Sequence, residues 1–199
     1  MRYIIMADGK GRRWKNYMGL DKHDISIGGE TLMERTVRLL HDYDPDAEVI
    51  ITSHNENVNI HGATRYEPLN NVLEIDRFTR ELIADNVCFL YGDVYYTEDA
   101  LSAAVENRGR YPLLFIGSKS SICAVLVRDS KRFEECYNEV RKSYLEGRIK
   151  ECKGWQVYHS YASLPLEGRE IGEAYLTVDG FTRDFNSPED YLDFISEHK

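Results

Sequence analysis

Apolar runs of strand length that alternate with segments of helical period constrain this chain more than any other feature. "RYIIM" (2–6), "AEVIIT" (47–52) and "NVCFLY" (86–91) are short and rich in β-branched or aromatic residues, which predicts three buried strands. Thr31 opens a helix as "TLME", a capping box with Glu34, after which Met33, Val37 and Leu40 recur at helical spacing. Asn71 and Glu74 form a weaker capping signature before "IDRFTRELI", which predicts a second helix. Thr97 begins a short helix reaching about residue 107, and "YPLLFIG" and "ICAVLV" read as two further strands. Asp129 or Ser130 caps a long amphipathic helix with Phe133, Tyr137, Val140 and Tyr144 inward, ending near Gly147. In "NSPEDYLDFISEHK", Ser187 is an N-cap, Pro188 takes the first helical position, and Glu189 and Asp190 suit the positive end of the helix dipole. Alternation at this spacing argues for an α/β fold, a three-layer α/β/α sandwich with a mostly parallel central sheet of Rossmann-like form.

A chain of 199 residues fits a single domain. In sheets of this kind ligands bind beyond the carboxyl ends of the strands, so the loops after "YIIM", "VIIT" and "CFLY" are the places to look. The first of these, "ADGKGRRWK", is glycine-rich and cationic in a chain whose formal net charge is −9. With 34 acidic against 25 basic residues, no broad nucleic-acid footprint is expected. An anionic ligand must then be held by a local cluster of positive charge. Gly9 and Gly11 let backbone N–H groups approach such an anion closely, with Lys10, Arg12 and Arg13 beside them.

Two named phosphate motifs fail on this loop. A P-loop needs a Ser or Thr after Gly-Lys, and Gly9-Lys10 is followed by Gly11. A dinucleotide fingerprint needs a third glycine where Trp14 stands. Cys88, Cys123, Cys136 and Cys152 lack C-x-x-C spacing and read as structural thiols of a cytoplasmic protein. The charged loop begins too early for a signal peptide, and runs such as "VCFLY" and "PLLFI" are too short to span a bilayer, so no membrane partner is expected. His23, His54 and His159 lack zinc-site spacing.

The stretch "IIMADGKGRRWKNYMGLDKHDISIGGETLMERTVRLL" resembles the opening of the nucleotidylyltransferase superfamily with the GT-A-like fold. That family writes roughly A-A-G-x-G-x-R, a lysine some nine residues on, a short apolar strand, Gly-Gly and a helix. Ala7, Gly9, Gly11 and Arg13 match, Lys22 takes the later lysine, and Gly28-Gly29 precede the helix. The sequence departs at Asp8, where the family has a small residue. "FLYGDVYY" and "DFNSPED" match two later family segments. The resemblance implies that Asp93 and Asn186, with Asp184 as a second candidate, coordinate Mg²⁺ bridging the nucleotide phosphates. One or two protein ligands suffice for this ion.

What the resemblance further implies is transfer of a nucleoside monophosphate from a nucleoside triphosphate to a small phosphorylated acceptor, releasing pyrophosphate. Lys10, Arg13 and loop N–H groups would stabilise the triphosphate, and Lys22 would sit near the α-phosphate. Base selection would come from "TSHNEN" (52–57), with Ser53, and from "EPLNNV" (67–72), with Asn70 and Asn71. Helix capping is the favoured role for these asparagines, because Asn prefers caps. Roughly residues 1–115 would form a nucleotide-binding half and residues 116–199 an acceptor-binding half with the C-terminal helix. Lys119 and Arg128 are cationic candidates for the acceptor, and Trp155, Tyr158 and Tyr161, read as aromatic residues of a strand, are candidates for a pocket wall.

Compact members of the superfamily include cytidylyltransferases of phosphorylated alcohols such as phosphocholine, which favours CTP or UTP and an acceptor such as a surface-polysaccharide building block. A homodimer is compatible with the resemblance. Two rival readings are a GT-A glycosyltransferase and a nucleotide-binding regulatory module without turnover. The first generally carries D-x-D, whereas Asp93 is followed by Val94 and Tyr95. Retention of Arg13, Lys22 and Asp93 together argues against the second.

Overall fold

The structure is a computed structural model, and it describes residues 1–11, 13–107 and 109–197. Arg12 lies outside the described residues. The strands are β1 (Arg2–Met6), β2 (Ser26–Ile27), β3 (Glu30–Thr31), β4 (Glu48–Thr52), β5 (Thr64–Tyr66), β6 (Val87–Tyr91), β7 (Val94–Tyr95), β8 (Leu113–Gly117), β9 (Ile122–Val127), β10 (Tyr175–Thr177) and β11 (Arg183–Asp184). The helices are α1 (Leu32–Tyr43), α2 (Glu98–Glu106), α3 (Ser130–Leu145), α4 (Gly154–Tyr161) and α5 (Pro188–Glu197).

Seven strands form one sheet in the order β10-β8-β9-β6-β1-β4-β5. β1 is parallel to both β4 and β6, and the pairs β4–β5 and β8–β10 are parallel too. β9 alone runs antiparallel, to β6 on one side and β8 on the other. The mostly parallel sheet expected from the sequence is therefore the one observed. Alternation along β1 shows how the layers arise. Tyr3 and Ile5 enter one core with Met33, Val37 and Leu40 of α1 and Leu101 of α2. Ile4 and Met6 face the opposite core with Phe133, Tyr137 and Val140 of α3 and Val157 and Tyr158 of α4. A strand covered by helices on both faces must be apolar at every position, and β9 is buried along its whole length.

Three local expectations differ from the structure. "IDRFTRELI" forms two short 3-10 segments, Glu74–Phe78 and Arg80–Leu82, joined at Thr79 in a left-handed conformation (φ 40°). Ile75 and Phe78 drop into the core from this broken segment. Its start is capped by Asp76, whose Oδ2 accepts from the N–H groups of Val72 (3.2 Å) and Leu73 (2.8 Å). Asn71 does not cap it; its side chain is used elsewhere. "GWQVYHSY" is helix α4 and not a strand, because Trp155, Tyr158 and Tyr161 at three-residue intervals pack against α3 and the sheet. Tertiary packing overrides the strand preference of aromatic residues here.

A third, smaller core joins the C-terminal helix to the first loop. Phe185 and Phe194 pack with Trp14, Ile25 and Leu32, and Trp14 stands edge-on to Tyr191 (6.3 Å between ring centres). Trp14 Nε1 donates to the Leu20 carbonyl (2.8 Å), so the loop after β1 is anchored just beyond its cationic part. Among the described residues, no helix is long and apolar enough to cross a membrane.

Candidate active site

The chain leaves β1 at the carboxyl edge of the sheet, where Ala7 donates its N–H to the Thr52 carbonyl of β4 (3.1 Å). Two residues on, a side chain at Gly9 would put its Cβ 3.3 Å from an Arg77 guanidinium nitrogen and 3.5 Å from Lys22 Nζ. Glycine here leaves room for two cations against the backbone. Gly11 holds φ +52°, a left-handed turn that sends Arg13 back over the cleft.

Lys22 and Asp93 are both buried, and the Lys22 ammonium pairs with Asp93 Oδ2. Asp93 sits in the turn between β6 and β7, directly after Gly92, whose N–H bonds the Met6 carbonyl (3.1 Å). Burial pushes the Asp93 carboxyl up, but the Lys22 charge and hydrogen bond, with the neighbouring His23 and Arg77, together hold the group below its ordinary value. Burial and then the Lys22 charge push the His23 imidazole down beside the pair.

β11 brings the late segment to this point. Asp184 pairs with Val94 across an antiparallel β7–β11 ladder, and Phe185 N–H donates to the Asp93 carbonyl (2.8 Å). The Asn186 amide donates to Asp184 Oδ2. Burial and then the Asp93 charge raise the Asp184 carboxyl above its ordinary value, and the Asn186 amide only partly offsets this. Two carboxylates with an amide beside them, Asp184 raised by the Asp93 charge, form a set of hard oxygen donors. That set fits Mg²⁺. Among the described residues no group of three or more His, Cys, Asp or Glu is arranged for a metal, and Mg²⁺ does not require one.

The groove beside this centre has a volume of about 540 Å³, and Lys10, Arg13, Lys22, Asn71, Arg77 and Asn186 stand on its wall. A second hollow of about 350 Å³ adjoins it, shares Arg13, Arg77 and Asn186, and adds Tyr91, Asp93, Trp155, Arg169 and Asp184. Ion pairs run along the far wall: Lys153 Nζ lies 2.9 Å from Glu151 and 4.0 Å from Glu74, and Arg169 lies 4.0 Å from Glu151. These pairs are half-exposed and contribute little stability each. Their role is to shape a polar rim.

The structure thus gathers Lys10, Gly9, Gly11, Arg13, Lys22, Asn71, Asp93, Asp184 and Asn186 around one groove. Asp8 turns its carboxylate towards His54 and Asn71. Ser53 is buried in a turn, its Oγ accepting from Asn55 N–H (3.1 Å), and Asn70 is exposed outside the groove wall. Lys119 and Arg128 do not reach either hollow, and Arg128 donates to the Gly109 carbonyl (2.6 Å). Tyr158 is committed to the Glu173 carbonyl and the Gly172 N–H. Sequence reasoning missed Arg77, Lys153 and Arg169. Arg77 sits between the core residues Ile75 and Phe78 on a segment with no motif, so only its place in the fold marks it.

No protein-family model matches the chain, and no curated protein matches it by sequence. Solved structures do. The 4-diphosphocytidyl-2C-methyl-D-erythritol synthase of Anaerococcus prevotii superposes with a TM-score of 0.63 at 13% identity, covering 99% of this chain and 95% of its own. The 2-C-methyl-D-erythritol 4-phosphate cytidylyltransferase of Thermus thermophilus gives 0.64 at 12% identity, covering 98% and 97%. The CTP:phosphocholine cytidylyltransferase of Streptococcus pneumoniae gives 0.61 at 12% identity, covering 100% and 99%. The fold of this chain is that of the nucleotidylyltransferases, as the resemblance in the sequence implied.

Proposed function

We propose that this protein is a Mg²⁺-dependent nucleotidylyltransferase that transfers a nucleoside monophosphate from CTP or UTP to a small phosphorylated acceptor, a sugar phosphate or phospho-alcohol. The observation that carries this reading is the buried Lys22–Asp93 pair beside the Gly9 loop, with Asp184 and Asn186 brought next to it by β11. In an acidic chain, that groove concentrates Lys10, Arg13, Lys22 and Arg77 against one stretch of glycine backbone. The full-length likeness to structures that carry this activity in their names agrees with it.

In the reaction an oxygen of the acceptor phosphate forms a bond to the α-phosphorus while the bond from that phosphorus to the β-phosphate breaks. Both electrons of the broken bond leave with pyrophosphate. The chain supplies positioning and fixed positive charge, and no covalent nucleophile is needed. Lys10, Arg13 and Arg77 hold the triphosphate along the groove; Lys22, next to Gly9, faces the α-phosphate. Asp93, Asp184 and Asn186 would hold Mg²⁺, which when bound supplies neutralising charge to the phosphates. The adjoining hollow, lined from both halves of the chain and including Trp155 and Arg169, suits the acceptor.

The deciding experiment follows pyrophosphate release with Mg²⁺, each of the four NTPs and a panel of phosphorylated sugars and alcohols. Release that depends on one NTP and one acceptor, and that Asp93→Ala reduces roughly 100-fold or more, is expected. Failure of every NTP to bind by calorimetry sinks the reading.

A further inference from the structure

Arg77 reaches the Gly9 backbone from a segment with little stability of its own. The 3-10 turn Glu74–Phe78 is five residues long and ends at Thr79, in a left-handed conformation. Turns this short have poor hydrogen-bond geometry and do not hold their shape unaided. The place of the Arg77 guanidinium therefore depends on what fastens the turn.

Asp76 fastens it. The residue is 3% exposed, and a buried carboxylate must be paired and hydrogen-bonded. Its two oxygens have separate tasks. Oδ2 accepts from the N–H groups of Val72 (3.2 Å) and Leu73 (2.8 Å), which orders the start of the turn. Oδ1 accepts from Tyr137 Oη (2.8 Å) and pairs with the Arg141 guanidinium, both on α3. Burial, then the bond to Asp76, pushes the Tyr137 hydroxyl up, which keeps it a donor. A cap needs only the first oxygen. The second ties a weak turn to a 16-residue helix that also brings Tyr144 to the groove wall.

We propose that Asp76 and Arg141 are positioning residues: their pair fixes the turn so that Arg77 stands over Gly9 to meet phosphate oxygens. This rests on the reading of the groove as a triphosphate site. Ile75 and Phe78 bury one face of the turn, and that burial is non-directional. The directed bonds of Asp76 set the angle at which Arg77 leaves the turn. Arg141 and Tyr137 line neither hollow, so they act on a ligand through Asp76 and Arg77. An effect that runs through another residue disappears when that residue is removed.

Calorimetric titration with Mg²⁺ and inorganic tripolyphosphate, the phosphate chain common to every NTP, tests this without turnover. Arg141→Met is expected to weaken binding roughly 3–10-fold where Arg77 is present, and by less than about twofold beside Arg77→Ala. Lys10, Arg13 and Lys22 remain in Arg77→Ala, so its weaker binding stays measurable. Tyr137→Phe removes a bond to Asp76 without changing charge and should show the same dependence on Arg77. Both variants leave the Oδ2 bonds in place, so the turn still forms. Equal losses with and without Arg77 overturn the proposal, because the effect then does not pass through that side chain. So does a fall in Tm with unchanged affinity, the outcome of a merely structural pair. Either result leaves the transferase reading intact, since the unmodified protein still binds tripolyphosphate. Failure of the unmodified protein to bind it overturns both readings together.

Discussion

Arg77 and Gly9 lie far apart in the chain, yet the guanidinium would stand 3.3 Å from any Cβ placed on that glycine. A cation against bare backbone is arranged to meet phosphate oxygens, for which the planar guanidinium fork is well suited. Arg77→Ala is expected to raise KM for the nucleoside triphosphate with a smaller effect on kcat. Loss of hydrogen bonds to a charged group, at about 1.5–3 kcal/mol, corresponds to roughly 10–100-fold. Arg77→Lys should recover part of that loss, and initial-rate kinetics on both variants check it. At this scale the sequence was informative wherever a residue stood in a motif. Gly9, Arg13, Lys22 and Asp93 were marked by their match to the resembling family's motifs, whereas Arg77 carries no local mark. Asn71 was misread as a cap because intrinsic preference was the only guide, while its partner Asp8 lies 63 residues away.

Among the elements, the start of α5 has the most direct bearing on the site. Asp190 Oδ2 accepts from Asn186 N–H (2.9 Å), Ser187 N–H (2.8 Å) and Ser187 Oγ (3.1 Å), which ties the helix start to the residue facing Asp184. A helix cap and the proposed Mg²⁺ ligand Asn186 are therefore one local structure. Asp190→Ala is expected to cost about 1 kcal/mol and lower Tm by roughly 2–4 °C. It should also raise the Mg²⁺ concentration needed for half-maximal rate, so thermal melts and a Mg²⁺ titration on one variant report both effects. The cap was legible in "NSPED" because capping chemistry acts over three or four residues. The two-residue strands β7 and β11 were not legible, since each exists only through its pairing with the other.

For the whole molecule, the site is where one sheet edge, the loop after β1 and the C-terminal segment meet. The core of Trp14, Phe185 and Phe194 holds those parts together. A ligand that bridges them should stabilise the native state by mass action. Mg²⁺ with the preferred nucleotide at about a hundredfold its Kd is expected to add about 2.7 kcal/mol and raise Tm by roughly 5–10 °C. Melts with nucleotide and Mg²⁺, with nucleotide and chelator, and with neither, check this; most of the shift should vanish with the chelator. What the sequence by itself determined was the class of fold and the glycine-rich cationic loop after the first strand, because strand and helix periods and glycine turns are set by neighbours along the chain; Lys22 and Asp93 were marked by the family resemblance. What only the tertiary structure decided was which distant side chains complete the site: Arg77 against Gly9, Asp184 beside Asp93, and Asp8 holding Asn71. Those contacts depend on how the sheet orders its strands and where its loops converge, and no run of adjacent residues encodes that.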